Sequence, residues 1–313
     1  MYSPQRDRRR IRLSLARAAV LSYSNRMPIC PIIDTHVHLW NPQKLRLPWL
    51  DGIPLLNQKL DLDAYREQTA GIEIEAMVYA EVDVAPHYSL LEVIGVEERA
   101  QIEPRIKGII GNAPVEDGAP LRTFLKAMQA AGPHVKGIRR LLQGEREPGW
   151  CLRPGFLAGM EILAEFGYSF DICIRRDQFP DAIELVRRHP QNQFILDHLG
   201  NPNIRDGEME PWASHIRKLA SFPNVAAKIS GMANNAAHHA WTPADTQPYF
   251  DHMVDSFGED RVMYGGDWSV VLLASSYKQW VESLDAMVAK RGMSESAQRK
   301  LWNENAKRVY RLS

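Results

Sequence analysis

Short apolar runs alternate along the chain with longer segments whose apolar residues recur every three or four positions. Runs of the first kind are typical of buried strands, and segments of the second kind are typical of amphipathic helices. The predicted strands are eight: 32–39, 76–82, 106–112, 135–142, 169–174, 194–199, 225–230 and 262–264.

Helical periodicity fills the segments between these strands. The predicted helices include 121–131, 157–166, 177–188, 212–221, 248–257, 277–289 and a last helix at 294–310. Strands that alternate with helices indicate repeated βα units and a parallel sheet. Eight such units predict an α/β fold of the (β/α)8 TIM-barrel type, in one domain over residues 27–313.

The first 26 residues differ from the rest of the chain. They are rich in arginine, and their short apolar patch at 13–21 is interrupted by Arg17. A secretory signal needs a longer uninterrupted apolar core and a small-residue cleavage site. We therefore expect residues 1–26 to be a disordered extension, with a weak targeting role as the alternative. No apolar run approaches the ~20 residues of a membrane span.

Composition narrows the class of protein. The 313 residues are 45% hydrophobic and 24% charged, and 38 basic side chains balance 38 acidic ones. These values are typical of a soluble globular protein, and the zero net charge argues against a nucleic-acid partner. The three cysteines, Cys30, Cys151 and Cys173, are too few and scattered for a disulfide framework, which favours a cytoplasmic location.

Two histidines end the first predicted strand. His36 and His38 are two residues apart, so in a strand both imidazoles point to one face. The sixth and eighth runs are followed by His198 and Asp267. Strand ends of one barrel share a mouth, and these four side chains are therefore candidates for a metal or catalytic site, although each could by itself be a structural polar residue.

Further polar residues fall at the same place in other units. Glu81 ends the second run, and Arg175 ends the fifth. Arg139 and Arg140 end the fourth; neighbours in a strand face opposite ways, and we expect Arg139 to point inward. Lys228 lies in an otherwise apolar strand, which predicts burial.

Three tryptophans, Trp40, Trp49 and Trp268, flank these motifs. Aromatic faces commonly pack on the apolar faces of sugar rings, so the three are candidates for substrate binding. The alternative is that they are core residues.

Taken together, the motifs D-T-H-V-H-L-W, K-G-I-R-R, L-D-H-L-G, K-I-S-G and G-G-D-W resemble the amidohydrolase superfamily. More narrowly, they resemble its sugar-lactonase branch, which includes L-fuconolactonase-like and L-rhamnonolactonase-like enzymes and lies near 2-pyrone-4,6-dicarboxylate lactonase. The resemblance extends from Ile32 to the C-terminus.

The resemblance implies a distorted barrel whose metal ligands are His36, His38, His198 and Asp267. Many superfamily members also have a metal-binding histidine on strand five, where this chain has no histidine, so we expect one divalent ion or none. Histidine nitrogens with a carboxylate suit Zn²⁺, with Mn²⁺ as an alternative.

The expected activity is hydrolysis of a sugar lactone, such as L-fuconolactone or L-rhamnonolactone. Asp267, aided by His198, would accept a proton from the attacking water. In a metal-free site, the cations Arg139, Arg140, Arg175 and Lys228 would stabilise the oxyanion instead. The alternatives are a metal-free lactonase of the pyrone-dicarboxylate type, a metal-dependent decarboxylase and a non-enzymatic binding barrel.

Overall fold

The computed structural model describes residues 27–313, so the expectation of an N-terminal extension at 1–26 lies outside the described residues. Its strands form one eight-stranded sheet in the order of the chain, and every neighbouring pair is parallel. The strands are β1 Ile32–Val37, β2 Ile74–Ala80, β3 Ile106–Gly111, β4 Val135–Ile138, β5 Ser169–Ile172, β6 Phe194–Leu196, β7 Val225–Ile229 and β8 Val262–Tyr264.

A single parallel bridge between Val37 and Trp268 joins the ends of β1 and β8, so the sheet closes into a barrel. The predicted (β/α)8 fold is therefore confirmed. All eight predicted runs contain a strand, but most strands stop a few residues earlier than predicted. His38, Glu81, Arg139 and His198 thus stand just beyond the strand ends, whereas His36 and Lys228 lie within β1 and β7.

The helices lie outside the barrel. They are α1 Leu62–Gln68, α2 Ser89–Ala100, α3 Leu121–Ala131, α4 Pro154–Glu165, α5 Phe179–Arg188, α6 Trp212–Ala220, α7 Met232–Asn235, α8 Pro243–Phe257, α9 Tyr277–Arg291, α10 Glu295–Arg299 and α11 Asn305–Tyr310. None of the helices in residues 27–313 is both long and apolar enough to cross a bilayer.

Three predictions of helix bounds need correction. Helix α4 begins at Pro154, three residues before the predicted start at residue 157, with the proline in its first turn. Helix α8 begins at Pro243, before the predicted start at residue 248, because Thr242 and Asp245 form a capping box there and the helix continues through Pro248. The predicted last helix at 294–310 is divided by a π-helical segment at Lys300–Glu304.

The lower part of the barrel interior is apolar. Tyr310 of α11 covers the bottom of this layer. The side chains that fill it come from six strands and are Ile33, Ala76, Val78, Ile110, Ile195, Ala226 and Met263. Because side chains alternate along a strand, the residue two positions after such an apolar one points into the next layer up. In β7 that residue is Lys228, above Ala226, and after Ile195 of β6 it is Asp197.

Candidate active site

His36 and His38 converge at the mouth of the barrel, as their spacing predicts. Their Nε2 atoms lie 3.0 Å apart. The Nδ1 atom of His38 is 3.0 Å from the carbonyl oxygen of Ala80, to which it donates as the protonated nitrogen. This tautomer leaves the lone pair of His38 Nε2 directed towards His36.

His198 completes the group of imidazoles. It follows β6 in the left-handed backbone region, with φ of 51°. Its Nδ1 atom is 2.9 Å from Ser230 Oγ at the end of β7, and its ring centroid is 4.4 Å from that of His36. Gly231 leaves room for this ring, because a Cβ atom there would lie 2.8 Å from His198 Nδ1.

Asp267 faces all three histidines. Its Oδ1 atom is 3.9 Å from the Nε2 atoms of His36 and His38 and 3.8 Å from that of His198. Its other oxygen accepts a hydrogen bond from Asn234 Nδ2 at 2.9 Å. Burial raises the pKa of Asp267, and His198 and Asn234 oppose that rise. The carboxylate is therefore a stronger base than an exposed aspartate.

Asp34 fixes the position of this group, although the sequence analysis assigned it no role. Its Oδ1 atom accepts backbone N–H groups of His36, at 3.0 Å, and Gly266, at 2.7 Å, so one carboxyl group links the ends of β1 and β8. Its Oδ2 atom accepts the hydroxyls of Tyr277 and Tyr65. Its place two residues before His36 in a buried run was the available signal.

The donors fit a divalent metal ion. The ligand atoms of His36, His198 and Asp267 lie within 4.8 Å of one another, and His38 Nε2 is adjacent. Burial lowers the pKa values of His36 and His38, which keeps both rings neutral and able to coordinate. Nitrogen donors whose other ring nitrogen is held by a hydrogen bond, together with one carboxylate, are typical of zinc sites.

Arg139 reaches the same group from β4. Its Nη1 atom is 3.1 Å from His36 Nε2 and 3.3 Å from Asp197 Oδ2. Its Nε atom donates to Glu81 Oε1 at 2.7 Å, and its Nη2 atom donates to the backbone carbonyl of Glu81. Glu81 therefore orients the guanidinium, and a permanent cation stands beside the histidines.

Lys228 is fully buried, as the sequence predicts, beneath His36. Its Nζ atom is 2.6 Å from Asp171 Oδ2, 3.0 Å from Asp197 Oδ1 and 3.2 Å from His36 Nδ1. Burial alone would raise the pKa of Asp197, but Lys228 and His36 hold it well below its usual range. Asp197 is thus an anion, and its Oδ1 atom lies 3.5 Å from His36 Nδ1. This contact favours the ring orientation in which His36 Nε2 faces the mouth of the barrel.

Asp171 and Asp197 were both missed by the sequence analysis. Each lies in a predicted apolar run, which is the signal that identified Lys228. Cys173, Asp197 and His198 form a second group of metal-ligand atoms. Asp197 already pairs with Lys228 and Arg139 in that group, so the cluster around Asp267 is the better metal site.

A cavity of about 310 Å³ opens above the cluster. His38, Arg139, His198 and Asp267 reach its wall, and Trp49 lines it from the loop after β1. Cavities of this size accommodate small ligands.

Comparisons with known proteins show the family of this chain. The family model described as Amidohydrolase matches residues 33–312. The chain belongs to the amidohydrolase family. Among curated relatives, L-fucono-1,5-lactonase of Burkholderia multivorans is 28% identical over 90% of this chain and 96% of its own length. The L-rhamnono-gamma-lactonase of Scheffersomyces stipitis is 23% identical over 90% of this chain and 98% of its own.

Solved structures include an amidohydrolase from Burkholderia multivorans with bound zinc. It has a TM-score of 0.81 and 26% identity to this chain, and the match covers 91% of this chain and 100% of that one. The predicted resemblance and the predicted enzyme class, a hydrolase, are confirmed by these matches.

Several predicted substrate-binding residues of this amidohydrolase lie away from the cavity. Arg140 points outward, where it pairs with Glu116 and Glu145, because it follows the inward-facing Arg139. Arg175 pairs with Asp177 and lines an outer cleft next to the cavity. Neither arginine is in contact with the histidine cluster.

Of the three predicted substrate-binding tryptophans of the amidohydrolase, one lines the cavity and two are buried in the core. Trp49 lines the cavity and donates Nε1–H to the carbonyl oxygen of Val82 at 2.8 Å. Trp40 is buried behind it, with its Nε1 donating to Leu56 O at 3.0 Å and its ring edge-on to Trp49. Trp268 is buried against Tyr65. Trp40 and Trp268 are therefore core residues, which was the alternative to substrate binding. Trp49 stays a candidate for substrate contact.

Proposed function

We propose that this amidohydrolase opens the ester ring of a sugar lactone, with a deoxy-sugar lactone of the L-fucono or L-rhamnono type as the first candidate. The observation that carries the proposal is one buried carboxylate, Asp267, facing three imidazole nitrogens at the floor of a cavity. Lactonases among the relatives at 23–28% identity support the substrate class.

Asp267 acts as the proton carrier. Its buried carboxylate accepts a proton from the water that attacks the ester carbonyl carbon, and returns that proton to the alkoxide when the ring C–O bond breaks. The raised pKa suits the first step, because the conjugate base of a weaker acid accepts a proton more readily. The product is the open-chain hydroxy acid.

Arg139 supplies positive charge at the reaction centre. It lines the cavity and is held by Glu81, so its guanidinium is oriented before the substrate binds. The tetrahedral intermediate carries a negative oxygen, which such a preorganised cation stabilises. Lys228 acts indirectly: it lies beneath His36 and holds Asp197 ionised.

A divalent ion fits the same residues, and we propose Zn²⁺ as the native one. His36, His38, His198 and Asp267 would hold it. When bound, such an ion polarises the ester carbonyl and lowers the pKa of water to about 7. Ser230 and Ala80 fix the ring orientations of His198 and His38 that this coordination requires.

The test is proton release from a panel of L- and D-aldonolactones, followed with a pH indicator. Three preparations are compared: protein as purified, protein after chelation, and chelated protein with Zn²⁺ restored. We expect hydrolysis that chelation removes and Zn²⁺ restores. Hydrolysis that is insensitive to chelation would retain the lactonase proposal and reject the metal. Turnover of no lactone would reject the proposed function.

A pair of variants tests the role of Asp267. Asp267→Asn should lower kcat by roughly 10²- to 10⁴-fold, the contribution typical of a proton-transfer group. Asp83 lines the same cavity but is not among the metal-ligand groups, so Asp83→Asn is the matched control. Equal losses in both variants would remove the special role of Asp267.

A further inference from the structure

A second, larger cavity lies on the same face of the barrel. This outer cleft has a volume of about 710 Å³ and is lined by the segments that follow β4, β5, β6 and β7. Gln143, Asn201, Asn234 and Asn235 line both the outer cleft and the catalytic cavity. A ligand whose ring occupies the catalytic cavity can therefore extend into the cleft.

The outer cleft carries a local excess of positive charge. Arg175, Arg176 and Arg205 line it, and Asp177 is the one acidic residue among its described lining residues. Asp177 is already neutralised, since both of its carboxylate oxygens accept hydrogen bonds from Arg175 at 3.0 Å. Two positive charges, those of Arg176 and Arg205, are left over.

Arg176 and Arg205 are unpaired within the part of the chain that the structure describes. Neither Arg176 nor Arg205 makes a side-chain hydrogen bond or an ion pair with any residue in 27–313. Both are exposed, and both belong to short 3-10 turns at the cleft, Arg176–Gln178 and Ile204–Asp206. The chain as a whole has zero formal charge, so this local excess does not reflect a basic protein.

We propose that the outer cleft is an anion subsite, and that the preferred lactone carries a carboxylate or phosphate on the carbon chain beyond its ring. The inference rests on the proposed lactone hydrolysis. Within that reaction it favours a charged lactone over the neutral L-fucono and L-rhamnono lactones, whose terminal carbon is a methyl group. Guanidinium groups bind carboxylates and phosphates through paired N–H donors, and the asparagines between the two cavities offer further N–H donors to such a group. The lactone ring remains beside Asp267, while Arg176 and Arg205 bind its charged end.

The experiment compares lactones that differ at the terminal carbon. D-glucono-1,5-lactone is the neutral probe for D-glucono-1,5-lactone 6-phosphate, which carries a phosphate, and D-glucono-1,4-lactone is the neutral probe for D-glucaro-1,4-lactone, which carries a carboxylate. Each anionic probe is compared with the neutral lactone of its own ring size. We expect KM for at least one anionic probe to be roughly tenfold lower than for its neutral probe, as for exposed charge-assisted hydrogen bonds. The anionic probe with the lower KM relative to its neutral probe identifies the group that the cleft takes.

The double variant Arg176→Gln/Arg205→Gln should abolish this preference and leave kcat and KM for the neutral lactones unchanged. Salt at 0.5 M should weaken the preference of the natural sequence, because the charges are exposed. Arg146→Gln is the matched control: Arg146 is an exposed arginine on the loop after β4 that also lacks a partner among the described residues, and it does not line the cleft. This control variant should leave KM unchanged for both the neutral and the anionic probes.

The outcomes separate this inference from the proposed function. Hydrolysis of neutral and anionic lactones with equal KM, or a preference that the double variant retains, would overturn the anion subsite and leave the lactonase proposal standing. Hydrolysis of no lactone would reject the proposed function. In that case calorimetry with 6-phosphogluconate decides: binding that the double variant loses supports the subsite, and absence of binding to the natural sequence overturns it.

Discussion

Arg139 Nη1 lies 3.1 Å from His36 Nε2, the ring nitrogen that also faces His38 and Asp267. A metal ion and the guanidinium therefore compete for one lone pair. The arginine carries a permanent charge, so it also repels a cation placed at this nitrogen. The relationship predicts that metal occupancy of this amidohydrolase is sensitive to Arg139.

Replacing Arg139 by glutamine should strengthen zinc binding by roughly tenfold or more, because one repelling charge and one competing donor are removed. Affinity is measured by competition with a chromophoric chelator, which does not depend on turnover. The same variant should hydrolyse lactone more slowly. The double variant Glu81→Gln/Arg139→Gln is measured as well, because removal of Arg139 alone leaves the buried carboxylate of Glu81 without its ion-pair partner. Arg140→Gln, one residue away, is the control. Unchanged zinc affinity in both Arg139 variants would contradict the prediction.

Asn234 should set the acid limb of the pH–activity profile. Its hydrogen bond stabilises the charged form of Asp267, so its removal raises the pKa of that carboxyl further. The base must be ionised to act, and activity is therefore lost at a higher pH in Asn234→Ala, by up to about one pH unit.

The neighbouring Asn235 provides the control for this shift. It lines the same two cavities but donates to Asn201 Oδ1 and to the carbonyl oxygen of Gly231. Asn235→Ala should leave the acid limb of kcat/KM in place. Equal shifts in the two variants would show that cavity polarity, not the bond to Asp267, sets the limb.

A side chain at Gly231 should displace His198. The glycine has φ of +67°, and an added Cβ would lie 2.8 Å from His198 Nδ1. Gly207 has a similar φ of +71° with nothing within 4 Å, which separates the backbone cost from the clash. Both alanine variants should lose about 1 kcal/mol or more of unfolding free energy in urea. Only Gly231→Ala should also lose zinc affinity and activity, and its retention of both would contradict the role given to this glycine.

Glu92 should make stability fall as the pH rises. This buried carboxyl on α2 accepts hydrogen bonds from Tyr79 Oη and Val82 N, and burial followed by the neighbouring Glu81 raises its pKa to about 8. The native state therefore holds a proton that the unfolded chain releases near its ordinary pKa of 4.5. The associated stability is complete below 4.5 and is lost as the pH rises towards 8.

Glu92→Gln keeps a neutral acceptor for both donors at every pH. Its unfolding free energy relative to the natural sequence should increase between pH 5 and pH 9, as measured by urea unfolding. The exposed Glu161→Gln is the control, and its stability should run parallel to that of the natural sequence. A pH-independent difference for Glu92→Gln would mean that Glu92 titrates alike in both states.

Local periodicity determined the barrel. Eight apolar runs separated by helical segments allow few other arrangements, and all eight hold strands in the structure. The period of two within a strand also determined directions: it brought His36 and His38 together, turned Arg139 inward and Arg140 outward, and buried Lys228. These features depend on neighbours in the chain, so the sequence alone suffices to predict them.

Only the tertiary structure decided which residues from distant parts of the chain contact one another. Asp34 joins the first strand of the barrel to the segment that follows the last strand. Asp171 and Asp197 neutralise Lys228, although 57 and 31 residues separate these aspartates from the lysine. The core positions of Trp40 and Trp268, and the gathering of Arg176 and Arg205 at one cleft, likewise depend on how separate loops meet. Periodicity specifies which face a side chain occupies, whereas contacts between distant segments depend on strand register and loop path, which are set by packing of the whole barrel.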